Sequence, residues 1–416
     1  MKKLIPHYIA KIEGHGSLKI DFTEDTAELG IHEGERLFEA MLVGRQLEDA
    51  VFIPQRICGV CPTAHNMGSI KALEHALEVE VSETTRNFRK LMLCGQMIQS
   101  HALHLFFLVL PDYIREDSAL ALIDSDPEKF QLALNLKKIG DKMVEVIGGR
   151  PVHPITPCVG GFTQLPDEDV LESLRKDVEL MINDGIKALG LFAGFKYPEL
   201  DRETDYVSIQ ADSKYGFYGG LMNSSSGEVF EIKDYKDHVK EVVKPYSTAK
   251  FGLHHKHEMM VGAIARVNLH SQYLNPLTRE GLAKTEIVFP SNNSFHNNLA
   301  QAVEILHFLE EAGKLLSTIL DDGIGEYDAG YEVQAGYGVG AVEAPRGTLY
   351  YGYEVDDNGR IQHADIITPT VQNLSNIEGD CRALLQTTKD KPVNKRRKLL
   401  DMLIRAYDPC ITCSVH

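Results

Sequence analysis

The sequence predicts an α-rich α+β fold: a core of long antiparallel helices with small β-containing segments around it. Three observations carry this expectation. Apolar residues recur at helical spacing over several long stretches, each bounded by proline, glycine or a capping side chain. The stretches between them are rich in glycine and tyrosine and read as strands. No internal repeat, low-complexity tract or Ser/Gly/Pro linker marks a boundary. The 416 residues are therefore expected to form one interdependent unit, residues 1–416. Within it lie an extended segment with a first cysteine pair (1–80), a helical core (about 81–325) and a β segment, helix and second cysteine pair (about 326–416).

In chain order, residues 4 to 23 read as extended, with Tyr8-Ile9-Ala10-Lys11-Ile12 and Leu18-Lys19-Ile20 on either side of Glu13-Gly14-His15-Gly16. Residues 83 to 109 place Phe88, Leu91, Cys94, Ile98, Ala102 and Leu105 on one helical stripe, which Pro111 is expected to end. Asp126 and Pro127 form an N-cap and first-turn proline, and Gly148-Gly149 closes that helix. Pro166 is expected to open the next, with Leu171, Leu174, Val178, Met181 and Leu189 at helical spacing. Residues 298 to 320 repeat the pattern through Leu299, Val303, Leu306, Leu309, Gly313, Leu316 and Leu320. Gly347-Thr348-Leu349-Tyr350-Tyr351 runs toward the hairpin signal Asp357-Asn358-Gly359, followed by Arg360-Ile361-Gln362. A last helix, 394 to 407, carries Leu399, Leu400, Leu403 and Ile404 into the terminal cysteines.

Bulk composition narrows the function classes. Hydrophobic content of 43% and charged content of 25% are ordinary for a globular chain. A net charge of −17 argues against an electrostatic nucleic-acid footprint. Met1-Lys2-Lys3-Leu4-Ile5-Pro6-His7 contains no apolar run suited to a signal peptide. Leu103 to Leu110, the most apolar stretch, reads as too short to span a bilayer. A cytoplasmic location without direct membrane insertion is expected. Gly336-Tyr337-Gly338-Val339-Gly340 misses the G-x-G-x-x-G spacing and no Walker motif is present, so neither nicotinamide nor ATP is expected to bind this chain.

The seven cysteines are too few and odd in number for a disulfide framework. Cys94, Cys158 and Cys381 stand alone and are expected to be small buried residues. The other four form Cys58-Gly59-Val60-Cys61 and Cys410-Ile411-Thr412-Cys413, near opposite ends of the chain. A C-x-x-C turn puts two sulfurs on one side, and two facing turns offer four soft thiolates to nickel, iron, zinc or copper(I). The bland alternative is a structural zinc site. Against it, zinc ribbons keep their pairs within roughly 20 residues, whereas about 350 intervene here. Each pair is also followed by a histidine, His65 and His416.

Both motifs, in this order, resemble the large subunit of nickel–iron hydrogenases, with R-x-C-G-x-C matched at Arg56 to Cys61 and D-P-C-x-x-C-x-x-H at Asp408 to His416. The resemblance extends to Lys11-Ile12-Glu13-Gly14-His15 and to Glu35-Arg36-Leu37-Phe38-Glu39, where Leu37 stands at a position that is often glycine. It continues through Gly149-Arg150-Pro151-Val152-His153-Pro154 with Val159-Gly160-Gly161, then Glu343-Ala344-Pro345-Arg346-Gly347 and Thr368-Pro369-Thr370. It implies the large-subunit fold and reversible heterolytic cleavage of H2. It also implies a nickel–iron centre whose iron carries carbon monoxide and two cyanides.

By this resemblance Cys58 and Cys410 are terminal nickel ligands, while Cys61 and Cys413 bridge nickel to iron. Cys410 is the expected base for the proton, and Glu13 the first group of its relay. Arg346, after Pro345, is expected beside the cyanides, with the Thr370 hydroxyl at the second one. Glu39, the Ile366 carbonyl and His416 are expected to bind magnesium, with iron as the alternative. His65 is expected to hydrogen-bond a bridging sulfur, and Asp408 to pair with Arg346 or cap the terminal loop. One departure is Ser100, where many members carry an aspartate above the metals; the Gln99-Ser100-His101 form is shared with cytoplasmic members. The family's large subunit is cut by a maturation protease after the final histidine, so the ending at His416 resembles the processed form.

The chain has too few further cysteines for iron–sulfur clusters, so an iron–sulfur small subunit is the expected obligate partner, with further electron-transfer subunits beyond it. Three other readings stand beside hydrogenase activity: a metal-free relative like the quinone-site subunit of NADH:quinone oxidoreductase, a hydrogen sensor, and a zinc scaffold. The intact cysteines weigh against the first.

Overall fold

The computed structural model describes residues 7–416, so residues 4–6 of the expected extended segment lie outside the described residues. From His7 the expectation meets an antiparallel three-stranded sheet, His7–Tyr8, Gly16–Asp21 and Thr26–Ile31. Leu18 and Ile20 face inward and Lys19 faces solvent, the two-residue alternation of a half-buried strand.

Four long helices, Glu83–Ala102, Pro127–Gly148, Glu168–Ala193 and Asn297–Asp322, close into a bundle in which each packs against two others. Their apolar stripes supply its interior, including Phe88, Leu91, Ile98, Leu136, Leu174, Leu306 and Leu316. The Ser82 hydroxyl accepts from the Thr85 N–H, and an Asp126 carboxylate oxygen from the Lys129 N–H. At one crossing the backbones touch. A Cβ on Gly140 would lie 2.6 Å from the Gly95 carbonyl oxygen, and one on Gly95 would lie 2.8 Å from that of Gly140.

Two helix boundaries differ from expectation. Pro111 does not end its helix, which runs Glu83–Ile114 and stops where Arg115 turns left-handed at φ +64. The stretch Leu103–Val109 is π-helical, and the Leu110 N–H donates to the Leu105 carbonyl five residues back. That wider turn lets the chain pass a residue that has no N–H and crowds the preceding carbonyls. The apolar run is therefore longer than the sequence suggested. By length and composition it could cross a bilayer, but 83% of its most apolar window is buried inside the protein. The second difference is at Pro166, which stands two residues ahead of the helix it was expected to open.

The span expected to be helical also carries a four-stranded sheet, built from Asp205–Gln210, Leu221–Ser224, Val229–Phe230 and Met259–Met260, and the hairpin Val239–Val242/Phe251–His254. The C-terminal sheet is antiparallel: Gly336–Ala344, Gly347–Val355 and Ile361–Ile367. The hairpin expected at residues 357–359 is present, with Gly359 at φ +73. The glycine run 336–340 is a strand lying flat on the helix Pro62–Ala76. A Cβ on Gly336, Gly338 or Gly340 would come within 2.1–2.4 Å of the carbonyl oxygen of Ala76, Ala72 or Gly68. Ala344 pairs with Gly347, which leaves Pro345 and Arg346 as a two-residue turn. The helices Pro369–Thr387 and Val393–Ala406 bring the chain back to the short turn Ile411–Ser414.

Candidate metal centre

Two thiol-bearing loops meet beneath the bundle. Cys58 follows a short turn, Pro54–Ile57, and Cys61 immediately precedes Pro62, the first residue of its helix. The N–H groups of Val60 and Cys61 point back at the Cys58 sulfur, at 3.2 and 3.3 Å, as a tight C-x-x-C turn requires. Gln96, on the neighbouring helix, pins this loop: its carbonyl accepts from the Thr63 N–H at 3.0 Å and its amide donates to the Val60 carbonyl at 2.7 Å. Arg36 fastens both loops together. Its backbone N–H donates to Val415 and its guanidinium to the carbonyls of Ile57 and Thr412.

The sulfurs of Cys58 and Cys410 lie 3.4 Å apart, those of Cys61 and Cys413 3.7 Å, and those of Cys410 and Cys413 2.9 Å. All four fall within 4.8 Å of one another, and all four residues are buried. Among the described residues all seven cysteines are free, and Cys94 and Cys381 are buried as expected, with Cys158 half-buried. Hydrogen bonding from Cys410 holds the Cys58 thiol well below its usual value, while Cys61 and Cys413 are pushed up. Four sulfurs packed this closely can all ionise only with compensating positive charge, which is the character of a soft-metal site.

Glu13 reaches the centre from the N-terminal sheet. Its backbone carbonyl accepts from the Ile411 N–H, and its carboxylate accepts from the Thr412 N–H and hydroxyl at 3.1 and 2.6 Å. Burial pushes its carboxyl up to about 7, and the charge of Cys410 adds to this against the Thr412 hydrogen bonds. A group with that value can both take and release a proton near neutrality.

Arg346 is carried to the thiols by the tip of its two-residue turn. Its Nε donates to the Asp408 carbonyl at 2.6 Å and Nη2 to the Asp408 carboxylate at 2.8 Å. Nη1 is buried with no partner among the described residues. Burial alone would lower its pKa, but Asp408 and the sulfurs of Cys410, Cys61 and Cys58 raise it well above the usual value. A fixed cation with an unused donor beside four thiols fits a centre that carries acceptor ligands of its own. Arg266 sets the turn in place by donating to the carbonyls of Ala344 and Pro345 while paired with Glu304 and Glu343.

The remaining expected residues fall around this set. His65 Nε2 is 3.7 Å from the Cys413 sulfur, and its Nδ1 is 2.6 Å from the Tyr351 hydroxyl. Burial lowers its pKa to about 3, so the ring is neutral. The arrangement is consistent when Tyr351 donates to Nδ1 and the Nε2–H points at sulfur. The Thr370 hydroxyl accepts from the Cys410 N–H at 3.0 Å, which leaves its own hydrogen free to donate. The Glu39 carboxylate accepts from the Ile366 N–H at 2.8 Å. The His416 ring joins two backbone carbonyls, with Nδ1 2.8 Å from the Cys413 oxygen and Nε2 2.6 Å from the Ile366 oxygen. Leu37 takes φ +56, the left-handed conformation that glycine adopts freely, and projects outward, 57% exposed. The Ser100 hydroxyl is buried with no partner among the described residues.

Sequence reasoning missed Tyr351, Gln96, Arg266 and the fastening role of Arg36. Gln96 and Arg266 left a signal: each is a lone polar residue inside an apolar helical run.

The family described as nickel-dependent hydrogenase matches residues 36–132 and 195–416. Sulfhydrogenase 1 subunit alpha of Pyrococcus furiosus is 36% identical, covering 98% of this chain and 96% of the relative. Sulfhydrogenase 2 subunit alpha of the same organism is 33% identical, covering 98% and 97%. Among solved structures, an NAD+-reducing [NiFe]-hydrogenase in the H2-reduced state superposes with a TM-score of 0.85 at 25% identity, covering 99% of this chain and 98% of that one.

Proposed function

The chain belongs to the nickel-dependent hydrogenase family, and from that premise we propose how its residues serve the reversible oxidation of H2. One observation carries the reading: four buried thiols from opposite ends of the chain converge within 4.8 Å, beside a cation whose Nη1 has no partner among the described residues. A nickel–iron centre held there supplies the heterolytic cleavage of H2 into protons and electrons. Cys58 and Cys410 would hold nickel terminally, and Cys61 and Cys413 would bridge the two metals.

Arg346 Nη1 and the Thr370 O–H would donate to cyanides on the iron, which also carries carbon monoxide. Their unused donors support this. Cys410 would take the proton and pass it to Glu13, whose carboxylate already accepts from the same Thr412 turn. The neutral His65, held by Tyr351, would donate to Cys413 and draw electron density from a bridging sulfur. Glu39, the Ile366 carbonyl and His416 would bind magnesium, with iron as the alternative. Asp408 orients the Arg346 fork, and Pro345 fixes its turn.

The family implies a small-subunit partner. That this partner carries iron–sulfur clusters, that further electron-transfer subunits follow it, and that a protease acts after His416 during maturation are parts of the proposal. So is a cytoplasmic location, which the seven unpaired cysteines support. The chain is taken as one catalytic unit, since both termini contribute to one centre.

Infrared spectroscopy with metal analysis of the purified complex tests the reading. Bands from one carbon monoxide and two cyanides are expected, with equimolar nickel per large subunit. Zinc in place of nickel, with no such bands, would overturn it.

A further inference from the structure

A second group of ligands lies on the four-stranded sheet and the hairpin beside it. Glu228, His238, His254 and His255 bring their ligand atoms within 4.8 Å of one another. They come from three separate stretches of chain: the turn before the strand Val229–Phe230, the helical turn Tyr235–His238, and the far end of the hairpin strand Phe251–His254. The Glu228 carboxylate is 3.0 Å from His238 Nδ1, 3.1 Å from His254 Nε2 and 2.9 Å from His255 Nε2. His238 Nδ1 is in turn 3.2 Å from His255 Nε2. In a tetrahedron with metal–nitrogen and metal–oxygen bonds of about 2.0 Å, ligand atoms stand roughly 3.3 Å apart. The separations given approach that edge, with His238 meeting one Glu228 oxygen and His254 the other.

The hydrogen-bond geometry points the same way. His254 is 3% exposed, and its Nδ1 lies 2.6 Å from the Asp205 carboxylate. Asp205 is itself fixed by hydrogen bonds from Ser224 and Ser225. A carboxylate on Nδ1 holds the proton there and turns a bare Nε2 lone pair into the cluster. Although a Glu228 oxygen is near, that Nε2 makes no hydrogen bond of acceptable geometry with any described residue. His238 is held flat against Phe230, ring centroids 3.8 Å apart, which fixes the direction of its own nitrogen. His255 occupies a tight turn at φ +45, and Lys256 follows at φ +74, so the turn doubles the chain back to lay His255 beside His254.

We propose that these four side chains form a closed binding site for a divalent transition ion of the zinc class, separate from the four-thiol centre. Three imidazoles and a carboxylate suit a borderline metal over magnesium or calcium. With all four positions supplied by protein, the site is a structural clip. It ties the end of the hairpin to the sheet, and the same hairpin carries Glu241, whose surroundings include Glu39 and His416.

The test is calorimetric titration of zinc chloride into the assembled complex after chelator treatment and desalting, with metal analysis of the product. One additional zinc per large subunit is expected, with a melting temperature that rises with zinc concentration. His255→Ala, at a half-exposed turn position, should abolish saturable binding while leaving H2 oxidation intact. Asp205→Asn should weaken binding by roughly 10–100-fold through loss of the fixed tautomer. Absence of saturable binding in the unaltered complex, or equal stoichiometry and affinity in His255→Ala, would overturn the proposal.

Discussion

Replacing Arg266 by methionine tests whether a buried charge cluster, remote in sequence from both cysteine pairs, sets the position of Arg346. Arg266 is fully buried, with its Nε and Nη2 on Glu304 at 2.5 and 2.6 Å and its Nη1 on Glu343 at 2.8 Å. The same guanidinium donates to the carbonyls of Ala344 and Pro345, both at 3.1 Å. The variant would leave two carboxylates in the interior. Glu304 keeps His101 and Tyr215, and Glu343 keeps Thr348 and the Ile209 N–H. Neither retains a compensating full charge. Breaking a buried pair from one side typically destabilises by about 3–5 kcal/mol, and two released carbonyls add roughly 1 kcal/mol each. The expected result is a fall of about 5–7 kcal/mol in unfolding free energy by urea titration at pH 7, together with nickel content well below one per chain. A triple variant with Glu304→Gln and Glu343→Gln removes all the charge and should recover much of the stability, but not the nickel, because the 345–346 turn stays ungripped. A single variant that loses less than about 1 kcal/mol and keeps its nickel would refute this account of the turn.

Three other outcomes are expected. Glu13→Gln should leave nickel and iron in place but slow exchange between H2 and solvent protons at least about a hundredfold; hydrogen–deuterium exchange in D2O measures it, and an unaffected rate would remove Glu13 from the relay. Tyr351→Phe deletes the hydroxyl that fixes the His65 tautomer and should shift the infrared bands of the iron ligands while costing about 1–2 kcal/mol of stability; an unchanged spectrum would count against donation by His65 to Cys413. Burial holds His270 and His296 down to about 4 and His307 to about 3. In the unfolded chain these rings protonate near 6.5, so their contribution is complete above that pH and is lost as pH falls toward 4. Urea midpoints should therefore drop between pH 7 and 5, with His307 alone accounting for about 2 kcal/mol and His307→Gln flattening the slope; a profile insensitive to that substitution would contradict the assignment.

The long helices were legible because their information is local. A stripe such as Phe88, Leu91 and Ile98, or a cap such as Asp126 before Pro127, needs no knowledge of the partner element. Elements defined by a distant contact were not legible in the same way. The strand Gly336–Ala344 has glycines where strand propensity asks for side chains, and it is a strand because a helix backbone occupies the space those side chains would fill. The passage through Pro111 depends on a π-turn, which composition does not announce. The four cysteines were legible from their two-residue spacing and a resemblance spread along the chain. Their supports were not, because Arg36 and Gln96 act on backbone carbonyls and amides and Arg266 grips its turn through two carbonyls, groups that every residue possesses and no sequence pattern marks.

That division has a physical consequence for how the site is held. Four thiols 3 to 4 Å apart repel as they ionise, so the apoprotein must resist their separation before any metal joins them. The resistance comes from elements that do not ligate. Arg36 ties the carbonyl of Ile57, just before the first cysteine pair, to that of Thr412, within the second, so the two loops cannot part without breaking one of these bonds. Gln96 holds the first loop to the bundle, and Glu13 holds the second to the N-terminal sheet. Arg346 reaches Asp408 from a turn that is itself gripped by Arg266. Each of these ties joins parts of the chain far apart in sequence, so the geometry of the thiols is a property of the finished fold and not of either cysteine motif alone.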